Sequence, residues 1–559
     1  MDNYELAEQF SLLARLMDIH GENPFKSKSY ASAAFALEKY PQNVAELPAE
    51  KIHAIKGIGA SAGSKVTELL QTGSLGVLQE LTERTPPGVL EMMAIKGLGP
   101  KKIHTLWKEL GIDTLDELSA ACHEGRIAAT KGFGDKTAEK IIEGIQFHRQ
   151  NAGNFLYAQL EPLAEALTQK LQAQFPGSRT ELTGPFRRQC EVMNALDWVT
   201  TIPAAQLESF LGEEALTRTA TAEHMMEFRS AEGLLLRFHL SNDAAFIDTL
   251  FRNNGSDAFL QSWQSAGKST AGDSEEAVFA AAGLPYVPPY LREKADVLER
   301  VQRAGVPAPI GVSDIRGLIH SHSNWSDGAH TIEEMARELI GLGFEYLVLS
   351  DHSKAAYYAN GLDEERIRRQ HAEIDALNGK LAPFKIYKSI ECDILGDGTM
   401  DYSDEVLASF DLVIASIHSN LDMTPEKAMM RLMGAITNPY VTIMGHLTGR
   451  LLARRKGYPV DHEAIIEACA RHNVVIEINS SPSRLDMDWR FIDAALDRGV
   501  LLSINPDAHS FEDFHNLKYG VKVAQKSGLT PARNLSSFSR AEFEAFLQQH
   551  KAARRGASV

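Results

Sequence analysis

Residues 314–328 read Asp314-Ile-Arg-Gly-Leu-Ile-His320-Ser-His322-Ser-Asn-Trp-Ser-Asp327-Gly. A short apolar run leads straight into two imidazoles one residue apart, and a carboxylate follows shortly after. If the run is a strand, its two-residue alternation puts His320 and His322 on one side, where both can grip one ion.

Six further apolar runs follow, separated by helix-like stretches: Tyr346-Leu-Val-Leu, Lys385-Ile-Tyr-Lys-Ser-Ile, Leu412-Val-Ile-Ala-Ser-Ile, Val441-Thr-Ile-Met, Val474-Val-Ile-Glu-Ile and Val500-Leu-Leu-Ser-Ile. Seven strand–helix units predict a parallel sheet, and in barrels of such units the reactive groups sit where strands end. Candidate ligands stand at those ends: His320, His322 and Asp327 after the first run, His352 after the second, then Glu391, His418 and His446, and finally Asp507 with His509. Alternation should again pair Asp507 with His509. The sixth run supplies Glu477 and Asn479, expected to support the ligands or touch substrate. Imidazoles mixed with carboxylates and without thiolates suit Zn, Mn or Fe better than Ca or Mg. Nine ligands exceed one site and provide for two or three divalent ions.

The rest of the chain differs in texture. Its 559 residues exceed one hydrophobic core, and 44% hydrophobic with 23% charged residues is the balance of globular domains. No apolar run approaches a membrane span, and the acidic Met1-Asp-Asn-Tyr-Glu start is unlike a secretory signal, so a cytoplasmic protein is expected. The four cysteines, Cys122, Cys190, Cys392 and Cys469, lack CxxC spacing and read as reduced thiols. A net charge of −17 excludes coating of nucleic acid by bulk electrostatics, so any contact must be local.

Such a local element recurs in the first 150 or so residues, which read as short helices. Ile55-Lys-Gly57-Ile-Gly59, Ile95-Lys-Gly97-Leu-Gly99 and Thr130-Lys-Gly132-Phe-Gly134 each precede a polar helix start. A Gly-apolar-Gly turn between two helices lets backbone amides approach a phosphate closely, which is a helix-hairpin-helix reading. Lys101, Lys102, Lys136 and Lys140 follow the second and third turns and can hold the same sequence-independent DNA backbone. Residues from about 155 to 290 mix helices and strands and end in Gly283-Leu-Pro-Tyr-Val-Pro-Pro-Tyr, where the prolines break regular structure and a linker is expected.

The His320 stretch, with Ser350-Asp-His-Ser, Ile390-Glu-Cys-Asp-Ile, Ala415-Ser-Ile-His-Ser, Gly445-His-Leu-Thr-Gly-Arg and Asp507-Ala-His, resembles the polymerase and histidinol phosphatase (PHP) domain. Together with Phe25-Lys-Ser-Lys-Ser-Tyr-Ala-Ser-Ala-Ala and the hairpins, the order of units is similar to bacterial family X DNA polymerases. The resemblance implies a multidomain chain: an all-α helix-hairpin-helix region (1–80 and 81–152), an α+β nucleotidyltransferase-like palm and thumb (153–290), a linker (291–312) and a distorted (β/α)7 barrel (313–559). It further implies three ions, one held by His320, His322, Glu391 and Asp507, one by Glu391, His418 and His446, and one by Asp327, His352 and His509. Glu391, Asp507 and a phosphate-gripping Arg450 would be the catalytic residues.

The palm departs from the family. Thr183-Gly-Pro-Phe-Arg-Arg-Gln-Cys-Glu-Val-Met-Asn-Ala-Leu-Asp has Pro185 in place of the motif serine and Ala195 in place of the first aspartate, and Leu235 stands where the third carboxylate belongs. Only Asp197 survives, so nucleotide addition is expected to be lost. Lys65 occupies the position of the family's Schiff-base lysine for deoxyribose-phosphate removal, though a lysine there also serves as a phosphate contact. The expected activity is a DNA-repair phosphodiesterase, a 3′–5′ exonuclease with 3′-phosphatase or abasic-site cleavage as variants, acting on gapped or 3′-ended DNA. The competing readings are a phosphomonoesterase of small metabolites, a non-catalytic DNA-binding scaffold and a still-active polymerase.

Overall fold

Residues Gly317–Ser321 form β1, the first of seven parallel barrel strands. The computed structural model describes residues 1–40, 42–213, 216–222, 224–231 and 233–556. Barrel strands β2 (Tyr346–Leu349), β3 (Lys385–Asp393), β4 (Leu412–Ser416), β5 (Ile443–Met444), β6 (Val475–Asn479) and β7 (Leu502–Asn505) follow, each paired in parallel with the one before it. A bridge between Ser321 and Ala508 joins the ends of the sheet: the His322 amide donates to the Ala508 carbonyl at 2.8 Å. The result is a nearly closed seven-stranded barrel, and every strand residue from Gly317 to Ser321 is buried.

The barrel interior is packed rather than hollow. Ile319, Tyr346, Val348, Tyr387, Ile414, Ile443 and Val475 meet inside it, and Phe543 and Leu547 of the C-terminal helix Arg540–Gly556 pack onto them. A Cβ on Gly317 would lie 1.9 Å from the Tyr346 ring, so the first strand begins on the one residue that fits beneath it. With one end filled in this way, the other end, where the strand C-termini converge, is left for chemistry.

The chain divides into two compact units, residues 1–152 and residues from 153 onward. In the first, short helices enclose an apolar core, and the three expected turns share one geometry at their first glycine. Gly57, Gly97 and Gly132 take φ of +98°, +89° and +92°, and the Ile58, Leu98 and Phe133 amides each donate to the carbonyl three residues back. The helices that follow, Ala60–Thr72, Pro100–His104 and Asp135–Asn151, begin at Gly59, Gly99 and Gly134 without a side-chain cap. Their opening amides are therefore left for an external acceptor.

In the second unit a five-stranded mixed sheet precedes the barrel; Ala195–Thr200 runs parallel to Leu235–Leu240 and antiparallel to Thr180–Thr183. The linker stretch, 291–312, contains the helix Val297–Ala304 and is tied down: Lys294 and Arg300 both pair with Asp493 of the barrel. Sheet and barrel are joined by further charged contacts. Arg188 donates to Glu293 at 2.7 Å, Lys526 donates to the Arg188 carbonyl at 2.6 Å, and Lys518 donates to Glu161 at 2.7 Å. The Lys526 side chain is wholly buried, with its amine 3.7 Å from Glu293 and over the Trp489 ring. Among the described residues no helix is long and apolar enough to cross a membrane.

Removing one partner from such a group strands the others without compensation. Glu293→Ala should therefore destabilise the second unit by about 3–5 kcal/mol, read as a lowered denaturation midpoint; an unchanged midpoint would show that the seam carries no energy.

Candidate metal centre

The site is built from strand ends, but not by plain alternation. His320 has φ +65°, and the β1–β2 register shifts between Ile319 and Ser321, so a bulge re-aims the first imidazole. Asp507 likewise has φ +54° and lies past the end of β7. The expectation that each pair faces one side because of strand pleating is corrected here: local left-handed backbone sets the direction. Glu391 differs again, because β3 runs on to Asp393 and carries it within the strand.

These residues gather into three overlapping groups whose ligand-type atoms lie within 4.8 Å of one another: His320, His322, Glu391 and Asp507; His322, Asp327, His352 and His509; and His352, Glu391 and His418. His446 joins the last, with Nε2 2.9 Å from Glu391 Oε1 and 3.2 Å from His418 Nε2. Glu391 is fully buried at the centre, 3.3 Å from His320, 3.0 Å from His352 and 3.2 Å from His418. Burial alone would raise its carboxyl, yet His418, His320 and His352 hold it well below the usual range. The same trade lifts His418: burial opposes its charge, but Glu391 and Asp393 push it up to about 10. His322 goes the other way, down to about 3, through burial and its neighbours His509 and His352.

Supporting groups fix each ring. Glu477, buried on β6, accepts from His320 Nδ1 at 2.6 Å, from Asn505 at 2.8 Å and from the His446 amide at 3.0 Å. Asn479 bridges Glu477 and Asp507 at 2.9 and 3.1 Å. Two further supports were not anticipated. Asp351 accepts from the Ser323 amide and hydroxyl at 2.8 and 2.7 Å and from Gln370 at 2.6 Å, so it carries the loop bearing His322 and Asp327. Asp393 lies 3.2 Å from His418 Nδ1. Both aspartates stand beside a ligand in the quoted motifs, and that adjacency was the available signal.

The donor set fits divalent ions. It has six imidazoles and three carboxylates without a thiolate, and the buried atoms His320 Nε2, His322 Nδ1, His352 Nδ1 and Glu391 Oε2 lack hydrogen-bond partners.

Arg450 does not face this centre. Its Nε donates to the Arg484 carbonyl at 2.9 Å, Nη1 to Asp488 at 2.6 Å and Nη2 to the Leu485 carbonyl, so the guanidinium is spent on shaping a loop. The loop it shapes presents Arg484 instead, whose Nε lies 3.6 Å from Asp507 Oδ2. Arg450, expected to grip a phosphate, is thus engaged away from the cluster, and Arg484 is the guanidinium beside it.

In the sheet of the same unit, Ala195 pairs with Leu235 across the parallel strands, and Asp197 is buried and bound to His239 at 3.1 Å. The nearby Glu191 carboxylate pairs with Arg490 of the barrel at 3.4 Å. In the first unit, Lys65 is half-buried and pairs with Glu68 at 2.5 Å, an engaged amine rather than an idle one. Lys102 donates to the Gly97 carbonyl at 3.2 Å and so closes its own hairpin, while Lys101 and Lys136 are exposed.

Comparison with known proteins matches these parts in order. Residues 1–75 match the helix-hairpin-helix domain, 89–146 the SAM-like helix-hairpin-helix tandem and 319–481 the PHP domain. The chain is 33% identical to the DNA polymerase/3′-5′ exonuclease PolX of Bacillus subtilis (strain 168), over 98% of this chain and 100% of that protein. Proteins named as probable phosphatases match a smaller share of the chain: one from Thermoanaerobacter sp. (strain X514) is 29% identical over 38% of this chain and 86% of its own length, and one from Vibrio parahaemolyticus is 25% identical over 40% and 89%. Match over the full length, through hairpins, palm and barrel alike, places the chain in the family of bacterial family X DNA polymerases with a C-terminal PHP domain.

Proposed function

We propose that this chain is a metal-dependent DNA phosphodiesterase, a 3′–5′ exonuclease in DNA repair, whose polymerase palm no longer adds nucleotides. The observation that carries the reading is overlap: His322, His352 and Glu391 each belong to two of the three ligand groups, so the site is one continuous multi-ion cluster rather than separate structural sites. We assign three ions of the Mn, Zn or Fe type to it, held as the resemblance implies. When bound, such ions supply Lewis acidity and neutralise charge at a phosphoryl group.

The chain's own residues do the remaining work. Glu477 and Asp393 hold the His320 and His418 rings so that Nε2 of each points at Glu391. Asp351 keeps the loop bearing His322 and Asp327 on the rim. Arg484 offers its guanidinium beside Asp507, where a phosphoryl oxygen can accept from it. The hairpins of 1–80 and 81–152 bind the phosphodiester backbone through the uncapped amides after Gly59, Gly99 and Gly134 and through Lys101 and Lys136. They set this chain apart from the relatives that match a smaller share of it and favour DNA over a small phosphomonoester. The palm and thumb of 153–290 remain as a body packed against the barrel, with Asp197 vestigial. The Lys65–Glu68 pair favours a phosphate-contact role for Lys65 over a Schiff-base role.

Glu391→Ala or His322→Ala should lower exonuclease turnover by about 10²-fold or more, the usual order for a preorganised charged group, while DNA affinity in a binding assay stays within about twofold. Valine at Gly97 or Gly132 adds about 1–2 kcal/mol of left-handed strain and should weaken DNA binding about tenfold, the worth of one charge-assisted hydrogen bond, yet leave hydrolysis of a chromogenic phosphoester in place. Loss on both substrates would contradict the division of labour. In the Glu391→Ala background, so that degradation cannot hide synthesis, no templated primer extension is expected with any divalent metal; extension that vanishes on adding Asp197→Ala would restore the polymerase reading.

A further inference from the structure

The loop after β2 carries a feature that the metal cluster does not explain. Ala356-Tyr357-Tyr358-Ala359 forms a tight turn, Tyr357–Ala359. Ala356 and Ala359 face inward and are 0% and 2% exposed, while Tyr357 is 86% and Tyr358 60% exposed. Among the described residues no large apolar side chain is more exposed than Tyr357. The two rings sit edge to face with centroids 6.1 Å apart.

Exposed aromatic rings usually belong to slack loops, but this turn is braced on both sides of the cluster. The Leu362 amide donates to the carbonyl of His352 at 2.9 Å. Asn360 donates to the Trp325 and Ser326 carbonyls at 3.1 and 3.3 Å, just before Asp327, and Arg366 donates to the Asn360 and Gly361 carbonyls at 2.7 and 3.1 Å. Gly361 leaves no room for adjustment, since a Cβ there would lie 1.9 Å from the Ser353 carbonyl oxygen. Partial burial first, and then the Asp393, Glu391 and Asp327 carboxylates, raise the pKa of the Tyr358 phenol, which puts it within the field of the cluster. Arg484 acts on it in the opposite sense.

Two exposed aromatic rings on a turn braced against the His352 strand end and the loop that leads into Asp327 match the elements that hold a single nucleic-acid strand, where bases stack on rings and charge follows the backbone. Resting on the nuclease reading above, we propose that Tyr357 and Tyr358 are a stacking platform for the unpaired terminal base of a DNA strand whose last phosphodiester lies at the cluster. They are positioning residues: they select a frayed 3′ end with a base over an end without one.

The test compares single-stranded oligonucleotides ending in an ordinary nucleotide or in a base-free tetrahydrofuran residue, with Mn²⁺, in the wild type, the Tyr357→Ala/Tyr358→Ala pair and the Tyr357→Phe/Tyr358→Phe pair. Loss of one base–aromatic stack corresponds to about fivefold or more in kcat/KM. The wild type should therefore prefer the base-bearing end by at least about fivefold, chiefly through KM. The alanine pair should lose that preference and the phenylalanine pair keep it. The ratio within each variant is independent of how much of it is folded. Equal use of both ends by the wild type, or a preference retained by the alanine pair, overturns the platform while leaving the nuclease reading intact. Absence of DNA cleavage by the wild type overturns both.

Discussion

A carboxylate with no exposed surface is a costly thing to fold, and Glu391 is one, set within a strand at the centre of the barrel's open end. Desolvating an isolated charge costs several kcal/mol even after relaxation. Here the charge is tolerated because imidazoles surround it: His320, His352, His418 and His446 all lie within 3.3 Å of its oxygens. Those histidines in turn are held by Glu477, Asp393 and neighbouring backbone. The arrangement balances charge in alternating shells, and the donor atoms left without partners are compatible with divalent ions.

Geometry elsewhere follows from keeping those shells in place. The bulge at His320 spends left-handed backbone to turn one imidazole toward Glu391, and the Ser321–Ala508 bridge then brings Asp507 and His509 against the first strand. Asp351 draws the Asp327 loop to the second strand. Outside the barrel, the Arg188–Glu293–Lys526 seam joins the sheet to the barrel, so the body in which Ala195 pairs with Leu235 packs against the scaffold of the cluster.

Much of this was legible in the chain itself, for physical reasons. Metal ligation admits few residue types, and the ends of parallel strands are where such residues converge, so His320, His352, Glu391 and Asp507 could be read from strand spacing. The hairpins were legible because a turn at φ near +90° demands glycine, as at Gly57, Gly97 and Gly132. Missing from that view was anything set by loop path. Arg450 and Arg484 are alike in composition, and only the fold of residues 480–488 decides which one faces Asp507. Nor does the sequence show that Lys102 donates to the carbonyl of its own turn. The palm–barrel seam was invisible because its partners, such as Arg188 and Lys526, lie far apart along the chain.

The central claim is that these nine side chains form one multi-ion cluster organised around Glu391. Crystals grown with MnCl₂ and measured at the manganese absorption edge test it most directly. The account predicts anomalous peaks at more than one position within coordination distance of Glu391, His322 and His352. Density maps with no such peak at Glu391, under conditions in which the protein cleaves DNA, would contradict it.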